Sequence, residues 1–163
     1  GETGEIVGRS MSIMTGYHNQ PKKTADAEWF SPEGERFIRT GDVGRFDEDG
    51  FVVLGDRKKD MIITGGFNVY PSDLEAELAK HPAVAESAVV GIPSREWGET
   101  PGAFIVLRPG QAATAEELRQ WMNARVGKTQ RLSYATVVES LPRSSIGKVL
   151  KRQLRDEFKP ASA

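Results

Sequence analysis

Glycines and turn formers interrupt residues 1–56 so often that no long helix fits between them, which limits this part of the chain to short strands. Glu5-Ile6-Val7 and Phe51-Val52-Val53-Leu54 have the apolar, β-branched make-up of strands. Asp47-Glu48-Asp49-Gly50, between Phe46 and Phe51, reads as a hairpin turn. Strands this short are a poor basis for a closed domain, so they are expected to complete a sheet with further chain. From about residue 60 the pattern changes. Met61-Ile62-Ile63 reads as a short buried strand and Thr64-Gly65-Gly66-Phe67-Asn68 as a glycine loop. Pro71 opens a helix in which Ser72 and Glu75 have capping-box spacing, and His81-Pro82 ends it. Ala85 to Ile92, closed by Pro93, and Ala103 to Leu107, running into Pro109-Gly110, read as strands. Thr114 and Glu117 repeat the box ahead of a helix to about Val126, and Val137-Val138 is a further short strand. After Pro142 a Ser/Gly loop leads into a last helix, roughly Val149 to Phe158, with Val149, Leu150, Leu154 and Phe158 on one face. Helices and strands mixed over ~100 residues predict an α+β fold: a small domain with a short mixed sheet and packed helices, after a β-rich segment. The Ala/Ser tail alone is expected to be disordered.

Composition removes several classes of function. A formal net charge of −1 gives no bulk attraction to nucleic acid or to a membrane surface. No apolar run approaches the ~20 residues of a membrane helix. With no cysteine there is no disulfide framework, thiolate metal site or cysteine nucleophile, which fits a reducing, cytoplasmic setting. His18 and His81 have no partner at metal-ligand spacing, and no Ser-His-Asp set can be assembled. Gly-Glu-Thr-Gly-Glu at the start has neither an initiator Met nor a signal-peptide core, so the chain reads as a fragment or a processed product.

Four patterns can carry chemistry, and each also has a plain structural reading. In Arg39-Thr40-Gly41-Asp42 a carboxylate after a glycine turn can accept two hydrogen bonds from a ribose diol, or can simply be a turn residue. In Gly55-Asp56-Arg57-Lys58-Lys59-Asp60, Arg57 offers fixed donors for phosphate or ribose oxygens, while the cluster also suits a solvated linker. Gly65-Gly66 allows positive φ and close approach of another molecule, or makes a tight turn. In Pro142-Arg143-Ser144-Ser145-Ile146-Gly147-Lys148, a helix starting near Lys148 would set a cation against the macrodipole and call for an anion. The alternative is a surface lysine on a basic helix with Lys151, Arg152 and Arg155. The spacing is not that of a phosphate-binding P-loop. Trp29, Trp97 and Trp121 are expected to pack on apolar surface, Trp121 and Leu118 from an amphipathic helix.

In order, Thr40-Gly41-Asp42-Val43-Gly44, Asp49-Gly50-Phe51, Asp56 to Asp60 and Gly65-Gly66-Phe67-Asn68-Val69-Tyr70-Pro71 resemble the adenylate-forming superfamily of acyl-CoA and aryl-CoA synthetases, luciferases and peptide-synthetase adenylation domains. Pro142 to Lys148 is similar to that family's C-terminal lysine motif, and Gly16-Tyr17-His18-Asn19 with Pro21 and Thr24 to the segment that precedes these motifs. The resemblance spans nearly the whole chain and is to the C-terminal portion of an AMP-forming acyl-CoA synthetase. It implies that residues 1–58 are the β-rich end of the large N-terminal domain and 59–163 the small mobile C-terminal domain. It implies ATP-dependent activation of a carboxylic acid, of fatty type, to acyl-AMP, then transfer to CoA, with Mg²⁺ accompanying ATP and no complete metal site in this chain. By the same resemblance Asp42 binds the ribose hydroxyls, Arg57 the ribose and phosphate region with Leu54 packed nearby, and Lys59 is the hinge. Lys148 enters the active site for adenylation, and Gly65, Gly66 and Arg131 serve CoA.

This chain departs from the family's pattern in two places. Gln130-Arg131-Leu132 stands where many relatives have Lys-x-Pro, and Ser145-Ile146-Gly147 replaces the commoner Thr/Ser-Gly pairing. The phosphate loop and acyl pocket of such enzymes are absent, so the chain alone is expected to be inactive and to need its large domain as partner. The resemblance also makes Lys148 a target for a lysine acetyltransferase and deacetylase. Two other readings are an adenylation domain that loads a carrier protein and a non-enzymatic binding module using the basic last helix. Against the module, Asp156 and Glu157 interrupt that helix and no aromatics interleave its charges.

Overall fold

The computed structural model describes residues 1–158. Two compact units divide the chain, Gly1–Lys59 and a second from Asp60 on, each with its own sheet.

In the first unit β1 (Gly4–Gly8), α1 (Pro21–Ala27), β2 (Glu28–Phe30), β3 (Arg36–Phe46) and β4 (Val52–Arg57) follow in order. The long β3 pairs antiparallel with each of the other three strands. The expected hairpin joins β3 to β4. The Asp47 carboxylate accepts from the amides of Asp49 (3.0 Å) and Phe51 (2.8 Å), and Gly50 takes the left-handed backbone the turn needs, φ +83°. The short helix α1 was not anticipated. It buries no residue, so it leaves no apolar stripe in the sequence, and Pro21 at its start is its one signal. Val43 is buried, whereas Phe46, Phe51, Val52, Val53 and Leu54 are all exposed.

The second unit runs β5 (Ile62–Thr64), β6 (Phe67–Val69), α2 (Pro71–Leu78), β7 (Val84–Ser94), β8 (Gly98–Leu107), α3 (Ala115–Asn123), β9 (Tyr134–Val137) and α4 (Lys151–Glu157). Its sheet has the order β6-β5-β8-β7, with β9 parallel to β8, and is therefore the mixed sheet of an α+β fold. Alternation along β7 and β8 divides the core in two. Val84, Val89, Ala103 and Ile105 join Leu74 and Leu78 of α2 and Leu118 and Met122 of α3. Ala88, Val90, Ile92 and Phe104 join Leu154 of α4 and Leu141 from the segment before it. So α2 and α3 cover one face of the sheet and α4 the other.

Several local expectations are corrected. Ser72 is not the N-cap expected of it: Tyr70 is the N-cap of α2, without a side-chain cap, and Ser72 lies inside the helix. Glu75 accepts from the Val89 amide (2.7 Å) and from Lys151 Nζ (2.7 Å). Because β7 is an edge strand, that carboxylate meets an amide β8 does not use. The helix α2 stops at Leu78, ahead of His81-Pro82. Thr64 to Asn68 is a hairpin in which Phe67 starts a strand, and Ile63 is exposed while its neighbour Ile62 is buried. Pro93 lies within β7 opposite Glu99, where an edge strand tolerates its missing donor. The strand near Val137-Val138 begins at Tyr134. By contrast the Thr114–Glu117 box is complete, with Thr114 Oγ1 accepting from the Glu117 amide (3.1 Å) and Glu117 from the Thr114 amide (2.7 Å). The helix it opens, α3, ends at Asn123, short of Val126. Leu118 is fully buried and Trp121 half-buried, edge-on to His81 at 5.1 Å between ring centroids. The tail from 159 lies outside the described residues.

Candidate functional site

In the first unit Asp42 and Arg57 face each other across β3 and β4, with Arg57 Nε 2.8 Å from Asp42 Oδ1. The left-handed Gly41 (φ +74°) turns the chain just before Asp42, and the Asp42 amide donates to Thr40 Oγ1 (3.1 Å). From Asp42 to Gly44 β3 advances two residues while β4 advances three, Arg57 to Leu54, so β4 carries a bulge at this point. Leu54 is left 62% exposed on the same strand as Arg57. The structure therefore gathers these three residues on one hairpin. Beside them Glu5 accepts from Lys58 Nζ (2.9 Å) and Arg39 (3.0 Å), and these cations, Lys58 foremost, hold its carboxyl below the ordinary value of 4.5. Lys59, exposed, is the last residue of this unit and lies in the short 3-10 turn Lys58–Asp60.

In the second unit Gly65 (φ +57°) and Gly66 (φ +85°) make the turn between β5 and β6. The Gly65 amide donates to the Trp97 carbonyl (3.0 Å), and the Trp97 ring lies where a Gly65 Cβ would be, 2.8 Å from Cζ3. Next to this turn is an open concavity of about 420 Å³, lined by Thr64, Trp97, Thr100, Arg119, Lys128 and Arg131 among others. Lys128 Nζ sits 5.2 Å from the centroid of the Trp97 ring. Glu116 engages Arg119 with two hydrogen bonds of 2.8 Å and raises its pKa. Arg131 is exposed, and the Asn123 side chain brackets the following residue, accepting from the Leu132 amide (2.7 Å) and donating to its carbonyl (2.9 Å). The Thr64 hydroxyl is buried beneath this concavity and meets no hydrogen-bond partner among the described residues. The sequence reading named Gly65, Gly66 and Arg131 here and missed Thr64, Trp97, Arg119 and Lys128. They come from β5, the β7–β8 turn, α3 and the following 3-10 turn, so only the fold brings them together.

The helix α4 starts at Lys151, three residues beyond Lys148, so Lys148 does not sit at its first turn as expected, and the cations there are Lys151 and Arg152. Lys148 instead ends a tight loop. The Ser144 amide donates to the Lys148 carbonyl (2.8 Å), the Gly147 amide to the Ser144 carbonyl (2.9 Å) and the Lys148 amide to Ser144 Oγ (3.2 Å). Gly147 has φ +81°, and an antiparallel bridge between Arg143 and Val149 closes the loop. Lys148 is exposed, and no carboxylate among the described residues forms an ion pair with it. Among the same residues no group of three or more His, Asp or Glu could hold a metal ion, and no helix is long and apolar enough to cross a membrane.

A mixed sheet covered on both faces is the architecture of the C-terminal domain of adenylate-forming enzymes, and residues 73–148 match the family model of the AMP-binding enzyme C-terminal domain. Beyond that segment, the chain is similar over nearly its whole length to CoA ligases and to solved adenylate-forming enzymes. It is 41% identical to the 4-coumarate–CoA ligase-like 9 protein of Oryza sativa subsp. japonica, over 95% of this chain and 27% of that protein. It is 38% identical to a long-chain-fatty-acid–CoA ligase of Bacillus subtilis (strain 168), over 96% and 27%. The crystal structure of ATP-bound MatB from Rhodopseudomonas palustris superposes with a TM-score of 0.87 at 36% identity, covering 96% of this chain and 30% of that one. The chain thus spans under a third of the length of these relatives.

Proposed function

We propose that the chain serves ATP-dependent ligation of a carboxylic acid, of fatty type, to CoA. In the first half-reaction a carboxylate oxygen attacks the α-phosphorus of ATP and pyrophosphate leaves. In the second the CoA sulfur attacks the acyl carbonyl and AMP leaves. The observation that carries this reading is Lys148, an exposed ammonium without an ion-pair partner among the described residues, on a hydrogen-bonded loop. Its charge would meet the negative charge that develops between carboxylate and phosphate. Support for a nucleotide seat at Asp42, Leu54 and Arg57 comes from their assembly on one hairpin. There a ribose diol would exchange with the Asp42–Arg57 pair. Support for CoA at Gly65, Gly66 and Arg131 comes from the adjoining concavity. Lys128 and Arg131 supply charge for phosphates and Trp97 a flat ring.

In this reading residues 1–58 close the large domain, 59–163 form the small mobile one, and Lys59 is the pivot between half-reactions. Mg²⁺ arrives with ATP, and acetylation of Lys148 removes its charge. The 163 residues by themselves release no pyrophosphate. The test uses the full-length enzyme and Lys148→Ala. Pyrophosphate release should fall by about 10²–10³, while thioester formation from supplied acyl-AMP is largely kept. Survival of both half-reactions would overturn the assignment.

A further inference from the structure

Lys148 owes its place to its neighbours, because its own side chain makes no hydrogen bond or ion pair among the described residues. The loop has one long side chain that reaches across it. Arg143 Nη1 donates to the carbonyl of Gly147 at 2.8 Å, immediately before Lys148. The other arm of the same guanidinium forms an ion pair with Glu86 of β7, far away in sequence and anchored in the central sheet. A planar fork can hold two acceptors in fixed relation, which a lysine cannot. At the far end of the loop the Leu150 amide donates to the Pro142 carbonyl (2.8 Å), and Lys151 is tied to Glu75 at 2.7 Å.

Resting on the reading of Lys148 above, we infer that Arg143, held by Glu86, is a positioning residue for adenylation. It ties the peptide that precedes Lys148 to the sheet. Gly147, with its left-handed backbone and no side chain, would otherwise be the loosest joint in the loop. Arg143 acts through Lys148 and not on the reacting atoms. Arg143 and Glu86 side chains are 44% and 36% exposed, so the pair contributes little to folding stability, and its loss is expected to leave the domain folded. The effect is therefore expected on one half-reaction only, the one that uses the lysine.

The experiment uses the full-length enzyme with Arg143→Gln, Arg143→Lys, Glu86→Gln, Lys148→Ala and the double variant Arg143→Gln/Lys148→Ala. A shift of the lysine by a fraction of an ångström to one ångström should cost about 10-fold to 100-fold in pyrophosphate release for Arg143→Gln. Glu86→Gln should lose less, and Arg143→Lys should recover part of the rate. Thioester formation from supplied acyl-AMP should be unchanged in all three. The double variant should be no slower in adenylation than Lys148→Ala alone, because a residue acting only through the lysine has nothing left to position. Equal loss in both half-reactions, or a double variant slower by the product of the two single effects, would overturn the inference. So would an unaffected Arg143→Gln beside an inactive Lys148→Ala, which leaves the reading of Lys148 intact. If Lys148→Ala itself keeps adenylation, the reading falls and the inference with it.

Discussion

Gly65 illustrates how one residue can carry two demands. Its φ of +57° suits glycine, and the Trp97 ring occupies the space of its missing Cβ. Gly66, also left-handed at φ +85°, has open space around the same point. Replacement of Gly65 by Ala is therefore expected to destabilise the second unit by about 1–2 kcal/mol from the backbone conformation alone, with displacement of Trp97 in addition. Gly66→Ala should show the backbone cost only. Denaturant unfolding followed by Trp fluorescence would compare the two. Equal losses with an unshifted emission spectrum would mean the ring does not depend on the glycine.

At the scale of elements, α3 has the best-defined start. Glu117 is held below the ordinary carboxylate value of 4.5, first by the Thr114 amide and then by its hydroxyl. A carboxyl lowered in the folded state contributes stability above its unfolded pKa, and that contribution is lost as pH falls through the lowered folded value. Thr114→Ala should cost about 1 kcal/mol near neutral pH. The gap from the native protein should narrow as the pH falls below 4.5. Thermal melts across that range would check it, and a constant gap would mean that the carboxylate adds nothing. The contrast with α2 shows what could be read in advance. Both helices have the same spacing of hydroxyl and carboxylate, but only in α3 does the hydroxyl residue, Thr114, stand at the N-cap. Glu75 also meets an edge amide and a lysine from α4, a demand that exists only once the sheet is formed. The α+β class and most strands were legible because alternation and turn chemistry are local. The start of α4 was misplaced because the Leu150–Pro142 hydrogen bond keeps Val149 and Leu150 in the loop despite their apolar side chains. For the site, the motifs around Asp42, Arg57 and Lys148 stood out as local strings. Trp97, Lys128 and Thr64 did not, since nothing local links three residues from separate elements.

On the scale of the whole molecule the two units are unequally built. Both apolar clusters, from Ile62 to Leu154, lie in the second unit. In the first, Val43 is the one buried apolar side chain among the described residues, and the β3–β4 hairpin leaves Phe46, Phe51 and Leu54 exposed. Resistance to opening follows buried apolar contact. Limited proteolysis of this chain should therefore remove the first unit early and leave a protected product beginning near Asp60. Loss of both units at the same rate would show that they open together.

The residues that tether the Lys148 loop, Glu75 and Glu86, precede it by a large part of the chain. Between them and the loop come the rest of β7, β8, α3 and finally β9, which must cross over to lie parallel to β8. Synthesis on a ribosome delivers these pieces in that order. The loop can take its shape only after the sheet has formed without it, so a nascent chain holds a folded scaffold before it holds a usable lysine.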